Sequence, residues 1–165
     1  MIEFYKEFYF KELSVKTQLN DGVNIPVIIL TGIVSLHVFI YSTVSNPNIT
    51  ILLNCVAFIN FFSVLVAIWY LGKSYTNLGK AHSYKELTTM SSYLNVYAEY
   101  EKEKNKKEFE YNLTREIADC ASHNFEINRK RTEDLARAKN ALFVSIALSV
   151  FFSIVYILSL IIIKN

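Results

Sequence analysis

Four polar residues stand among apolar neighbours: His37, Asn60, Ser149 and Ser153. In a hydrocarbon-like setting such a group is costly unless it finds a partner or borders water, so each marks either a polar path or a contact between helices. At 1.5 Å per helical residue, His37 and Asn60 each fall about 16 Å from one end of their apolar runs, and Ser149 and Ser153 bracket that level. Two chemistries follow. Three helices with polar groups at one depth can line an aqueous path or an ion site; alternatively, Asn60 and the serines bond helix to helix as packing contacts. His37 faces away from Thr31, Ser35 and Ser42, so only one of those two surfaces can look into a common pore.

A second polar set lies in a charged stretch. Asn124, Asn128 and Arg131 recur at spacings of four and three, which puts them on one helix edge. Arg131 there can take a carboxylate, a phosphate or a nucleotide, or can serve a plain salt bridge on the helix surface. Cys120 and His123 share a face, but two ligands without a second pair fall short of a zinc site, and His82 is isolated, so no metal is expected. The glycines at 22, 32, 72 and 79 cannot form a phosphate-cradling loop. No nucleophile, base and orienting group cluster together. Catalysis and a cofactor are therefore not expected, although His37 and Asn60 leave a lipid-directed enzyme as a third class.

The elements that position these groups follow from charge. Hydrophobic residues make up 52% of the chain and charged ones 19%, and no Asp, Glu, Lys or Arg occurs between Asp21 and Lys73 or between Lys139 and Lys164. Crossing hydrocarbon takes roughly 20 apolar helical residues. Pro26–Val44, Ile49–Leu71 and Ala141–Ile163 meet that requirement, with Asn24 able to cap, a turn at Ser45–Asn48, and Trp69-Tyr70 before Lys73 as at a headgroup layer. Lys and Arg number three before the first span, none in the turn, thirteen from Lys73 to Lys139 and one at the end. That bias predicts an inward N-terminus and central block, with the C-terminal tip outside.

Residues 1–24 place Glu3, Glu7 and Lys11 on one stripe and Tyr5, Phe8, Tyr9 and Leu13 elsewhere. This describes an amphipathic helix that lies in the membrane interface or packs on helices of its own chain. No apolar core with a cleavage site marks a signal peptide. Residues 73–140 contain no proline, which predicts long helices: one over Tyr84–Lys104, a charged bend at Glu101–Lys107, and a second from Glu108 running unbroken into the third span. The architecture expected is all-α: a transmembrane hairpin (25–72, spans 26–44 and 49–71), a cytoplasmic helical hairpin (73–140) and a third span (141–163) continuous with it. A hairpin of that size has little core, which favours a homo-oligomer.

Small residues add packing faces. Ala141, Ser145, Ser149 and Ser153 recur every four residues, and Ala57, Asn60, Ser63 and Ala67 form a similar face on the second span, so both are expected to contact other helices. Cys55 and Cys120 belong to different media, so no disulfide is implied. A net charge of +2 with acids and bases mixed does not suit phosphate neutralisation, so nucleic acid is not an expected partner.

The membrane hairpin followed by a long helical region, together with Asn124, Asn128 and Arg131 ahead of the last span, resembles the SLATT group of small membrane effectors of bacterial anti-phage systems. The resemblance implies an oligomer in the bacterial inner membrane that forms a pore or disrupts the bilayer when infection is signalled, an abortive response triggered by a cytoplasmic protein or nucleotide. The competing expectation is a non-conducting anchor whose cytoplasmic helices recruit a soluble partner.

Overall fold

The computed structural model describes residues 2–43, 47–75, 83–88, 90–102 and 106–164. Five helices occur in the order α1 (Ile2–Asp21), α2 (Asn24–Thr43), α3 (Pro47–Tyr75), α4 (Met90–Lys102) and α5 (Lys106–Lys164). Among the described residues there is no strand. Three stretches, within Ile2–Thr43, Ile51–Tyr75 and Lys106–Leu158, are long and apolar enough to cross a membrane. Contacts divide the chain into two units: Met1–Leu19 with Asn77–Arg131, and Asn20–Thr76 with Thr132–Asn165.

The boundaries differ from expectation in instructive ways. α2 begins at Asn24, so Asn24 is already helical, and the missing N–H of Pro26 falls in a first turn whose amides lack intrahelical partners anyway. α3 begins at Pro47, whose fixed φ suits a first helical position. Pro47 and Asn48 therefore belong to the helix and not to a turn, while Ser45 and Asn46 lie outside the described residues. α4 starts at Met90, not at Tyr84. Of the charged bend expected over Glu101–Lys107, Glu101 and Lys102 are helical in α4 and Lys106 and Lys107 in α5, and residues 103–105 lie outside the described residues. α5 runs unbroken through 59 residues, and no proline interrupts it.

The first unit packs α1, residues 83–88 and α4 on the N-terminal part of α5. Tyr9, Ile117, Cys120 and Ala121 form its buried core, with Tyr5, Phe8, Leu13 and Leu87 packed around them. The aromatic face of α1 is thus turned onto its own chain, while Glu3, Glu7 and Lys11 stay exposed. α4 is antiparallel to α5: Tyr97 meets Phe109 edge to face at 5.2 Å, and Thr88 at the other end donates to Glu116 at 2.8 Å.

Residues 83–88 are not helical because their peptide groups bond side chains. Asn124 accepts from the Lys85 N–H at 2.9 Å and donates to its C=O at 3.0 Å, while the Leu87 N–H reaches the Tyr9 hydroxyl at 3.3 Å. A peptide satisfied in this way does not need the i to i−4 ladder.

The second unit consists of α2, α3 and the C-terminal part of α5. Its core contains Ile40, Leu53, Val56 and Phe152. Elsewhere its polarity is inverted relative to a water-soluble bundle. Asn60, Ser145 and Ser149 are buried, whereas Phe58 is 65% exposed, Ile68 51% and Phe143 73%.

Candidate functional site

Two buried polar clusters carry the chemistry, one in each unit. In the second unit, Asn60 of α3 sits between the other two helices. Its Nδ2 donates to Ser149 Oγ at 2.9 Å and lies 3.2 Å from His37 Nε2. The His37 Nδ1 is 2.8 Å from the Ile33 carbonyl, which can only accept, so Nδ1 carries the ring proton and Nε2 is the acceptor for Asn60. His37 also stacks on Phe152 with centroids 4.4 Å apart. The Ser149 hydroxyl in turn donates to the Ser145 carbonyl at 2.8 Å.

This geometry joins three helices at one depth without arming a nucleophile. The Ser149 hydroxyl donates to the backbone of its own helix, and His37 Nε2 accepts a hydrogen bond from the Asn60 amide, so no serine–histidine pair forms. Ser153 likewise bonds the Ser149 carbonyl at 2.9 Å. Thr31 and Ser42 bond carbonyls of their own helix. Among the described residues, Asn60 Oδ1 and Ser145 Oγ have no hydrogen-bond partner.

The two small-residue faces meet each other inside this chain. Ser63 Oγ donates to the Ala141 carbonyl at 2.8 Å, and the Asn60–Ser149 bond repeats the contact two turns further along α5. Ala67 and Ser145 are fully buried, and Ala57 packs beside the Ile40–Phe152 core. Small side chains allow the backbone approach that makes a side chain to carbonyl bond possible.

In the first unit, Asn124, Asn128 and Arg131 do share one edge of α5, and that edge is occupied from within the chain. Asn124 clamps Lys85. Asn128 Nδ2 donates to the Glu12 carboxylate at 2.9 Å and to the Glu12 carbonyl at 2.8 Å. The Tyr84 hydroxyl donates to Asn128 Oδ1 and accepts from Arg131 Nη1, the latter at 2.6 Å. Glu12, Asn128 and Arg131 are 4%, 3% and 0% exposed. Burial pushes the Tyr84 phenol above its ordinary value, while the adjacent Arg131 cation pulls the other way. The phenol stays protonated, as its role as a donor requires.

Sequence reasoning missed Glu12 and Tyr84. Glu12 adjoins the charged stripe of α1, and Tyr84 falls in a stretch expected to be helical; neither position carries a local signal of burial.

Cys120 and His123 do not converge on a metal. The thiol lies 4.0 Å from the Glu86 carbonyl, and His123 Nε2 donates to the Ser83 carbonyl at 2.9 Å. Burial, with the Glu116 carboxylate, pushes the Cys120 thiol up and keeps it uncharged. Among the described residues no three His, Cys, Asp or Glu side chains group as ligands. His82 lies outside the described residues.

In comparisons with known proteins, no protein family, no curated protein and no solved structure matches this chain.

Proposed function

We propose that the chain is an integral membrane protein, with the second unit in the bilayer and the first in the cytoplasm, and that it acts as an oligomeric effector which opens a pore or disrupts the inner membrane on a cytoplasmic signal. The inversion of polarity in the second unit carries the membrane part of this reading. Its large apolar side chains are exposed and its polar ones buried, which is the arrangement favoured when lipid is the solvent. The lysine and arginine distribution supports an inward N-terminus and central block and an outward C-terminal tip. The SLATT-like layout supports a role in anti-phage defence.

The effector part draws on the cluster at one depth. Separating α2, α3 and α5 would break the bonds from Asn60 to His37 and to Ser149, and water or a neighbouring protomer would then have to satisfy Asn60 and the His37 Nε2. Induced expression of the full chain, with a membrane-potential dye and growth followed together, tests this. Depolarisation and arrest are expected; a growing, fully polarised culture with protein in its membrane fraction would count strongly against a pore.

A second reading is favoured by one observation: the same polar groups already bond one another. On that basis the second unit is a non-conducting anchor and the first unit recruits a soluble partner. Affinity purification of the full chain with a stoichiometric soluble protein, and no ion flux in liposomes, would support the anchor.

A further inference from the structure

On the second unit, two cations converge on one aromatic ring. Lys73 Nζ of α3 lies 5.9 Å from the Tyr70 ring centroid, and the Arg137 guanidinium of α5 lies 5.6 Å from the same centroid. Lys73 also stands 5.3 Å from the Trp69 ring. Among the described residues neither cation has a hydrogen-bond acceptor. The Asp134 carboxylate approaches Arg137 at 4.0 Å, beyond hydrogen-bonding distance, and is itself largely covered. Two exposed cations thus adjoin one ring, with the Asp134 carboxylate 4.0 Å from Arg137. A group with several acceptor oxygens and negative charge suits such a pair, since guanidinium and ammonium groups both bind phosphate.

A second feature bears on where that phosphate comes from. Lys73 ends a stripe on α3 made by Phe58, Phe62, Val66 and Trp69, spaced by four, four and three residues and then four more to the lysine. All four are exposed, at 65%, 53%, 45% and 65%. One helix face therefore presents an apolar track leading to a cationic end. Free phosphate would use only that end, whereas a phospholipid uses both.

We infer that Lys73, Tyr70 and Arg137 form a headgroup site for an anionic phospholipid, with an acyl chain lying along Phe58, Phe62, Val66 and Trp69. This inference rests on the membrane reading above. The indole of Trp69 would then sit at the glycerol level, where amphipathic rings prefer to lie. The plainer role for Lys73, complementing the C-terminal dipole of α3, needs neither Arg137 nor lipid.

The test uses purified full-length protein and measures binding of phosphatidylglycerol, phosphatidylcholine and inorganic phosphate. Phosphatidylglycerol should bind more tightly than phosphatidylcholine, with the preference fading as salt rises. K73Q/R137Q should weaken phosphatidylglycerol roughly 10- to 30-fold and bring it to the phosphatidylcholine level. K11Q/K107Q, which removes the same charge from the first unit, should change it less than about 3-fold, and K73R should retain binding. If the double variant loses helix content, the single K73Q and R137Q proteins replace it, each expected to weaken binding roughly 3- to 5-fold.

Equal binding of the two lipids by the wild type, or equal losses in both double variants, would overturn the site. Full displacement of the lipid by inorganic phosphate would overturn the choice of a lipid. Extraction from phosphatidylcholine vesicles by alkaline carbonate would instead sink the membrane reading, and the site with it. Resistance to carbonate with equal lipid affinities would sink the site alone.

Discussion

The two buried clusters solve the same problem in different ways. In the first unit Arg131, Asn128, Tyr84 and Glu12 include ionisable groups, so desolvation is severe and each charge needs several partners. In the second unit Asn60, Ser149 and His37 are joined by bonds between uncharged groups, and two buried atoms, Asn60 Oδ1 and Ser145 Oγ, have no partner among the described residues. If water is the reference for the first and lipid for the second, the first cluster should be far less tolerant of substitution. A polar group in an unfolded transmembrane segment finds other partners, which lowers what its native bond contributes.

The sharpest way to break this comparison is Arg131→Ala. It leaves a cavity where the fully buried guanidinium stood and removes the donor to the Tyr84 oxygen, and a loss of about 3–5 kcal/mol is expected. Hydrogen exchange should show α1 and residues 83–88 losing protection. The fluorescence of Trp69, the only tryptophan and part of the second unit, should stay unchanged. A shift in Trp69 fluorescence as large as the exchange effect would erase the distinction between the units.

Asn128→Ala should follow, at about 2–3 kcal/mol, because it strands the buried Glu12 carboxylate. Replacing Glu12 with Gln in that background should recover part of the loss, since a stranded neutral amide costs less than a stranded charge. Thermal unfolding of the four proteins of the cycle measures the coupling, and additive effects would remove Glu12 from the network.

Asn60→Leu is expected to cost only about 0.6–1.7 kcal/mol in lipid. Bilayer-reconstituted protein unfolded by increasing denaturant is the proper comparison. A cost exceeding that of Asn128→Ala would reverse the ordering argued above.

A last effect concerns alkaline pH. Burial, with the Glu116 carboxylate, pushes the Tyr93 phenol up to about 12 in the folded first unit. The unfolded phenol ionises near pH 10. A folded pKa above the unfolded one gives stability that is intact below pH 10 and lost as pH rises towards 12. Unfolding midpoints of the wild type should fall across that window, and Tyr93→Phe should flatten the fall.

Much of the helical architecture was legible in the chain because it depends on local quantities. Charge-free runs, proline positions and four-residue spacing foretold α2, α3 and the unbroken α5, and they placed Asn60, Ser63 and Ser149 on contact faces. The stripe of Glu3, Glu7 and Lys11 likewise anticipated the exposed side of α1. Residues 84–88 were misread as helix because composition cannot register that Asn124, 39 positions from Lys85, and Tyr9, 78 positions from Leu87, bond their peptide groups.

The sequence by itself determined which segments are apolar helices and where the basic residues cluster, since both follow from side-chain type and neighbours a few positions away. Tertiary structure alone decided that Arg131 and Asn128 face Tyr84 and Glu12, and that His37, Asn60 and Ser149 meet one another. The reason is separation along the chain: Asn128 and Glu12 are 116 positions apart and Asn60 and Ser149 are 89 apart. Partners so distant are selected by how whole helices pack, and no local pattern records that choice.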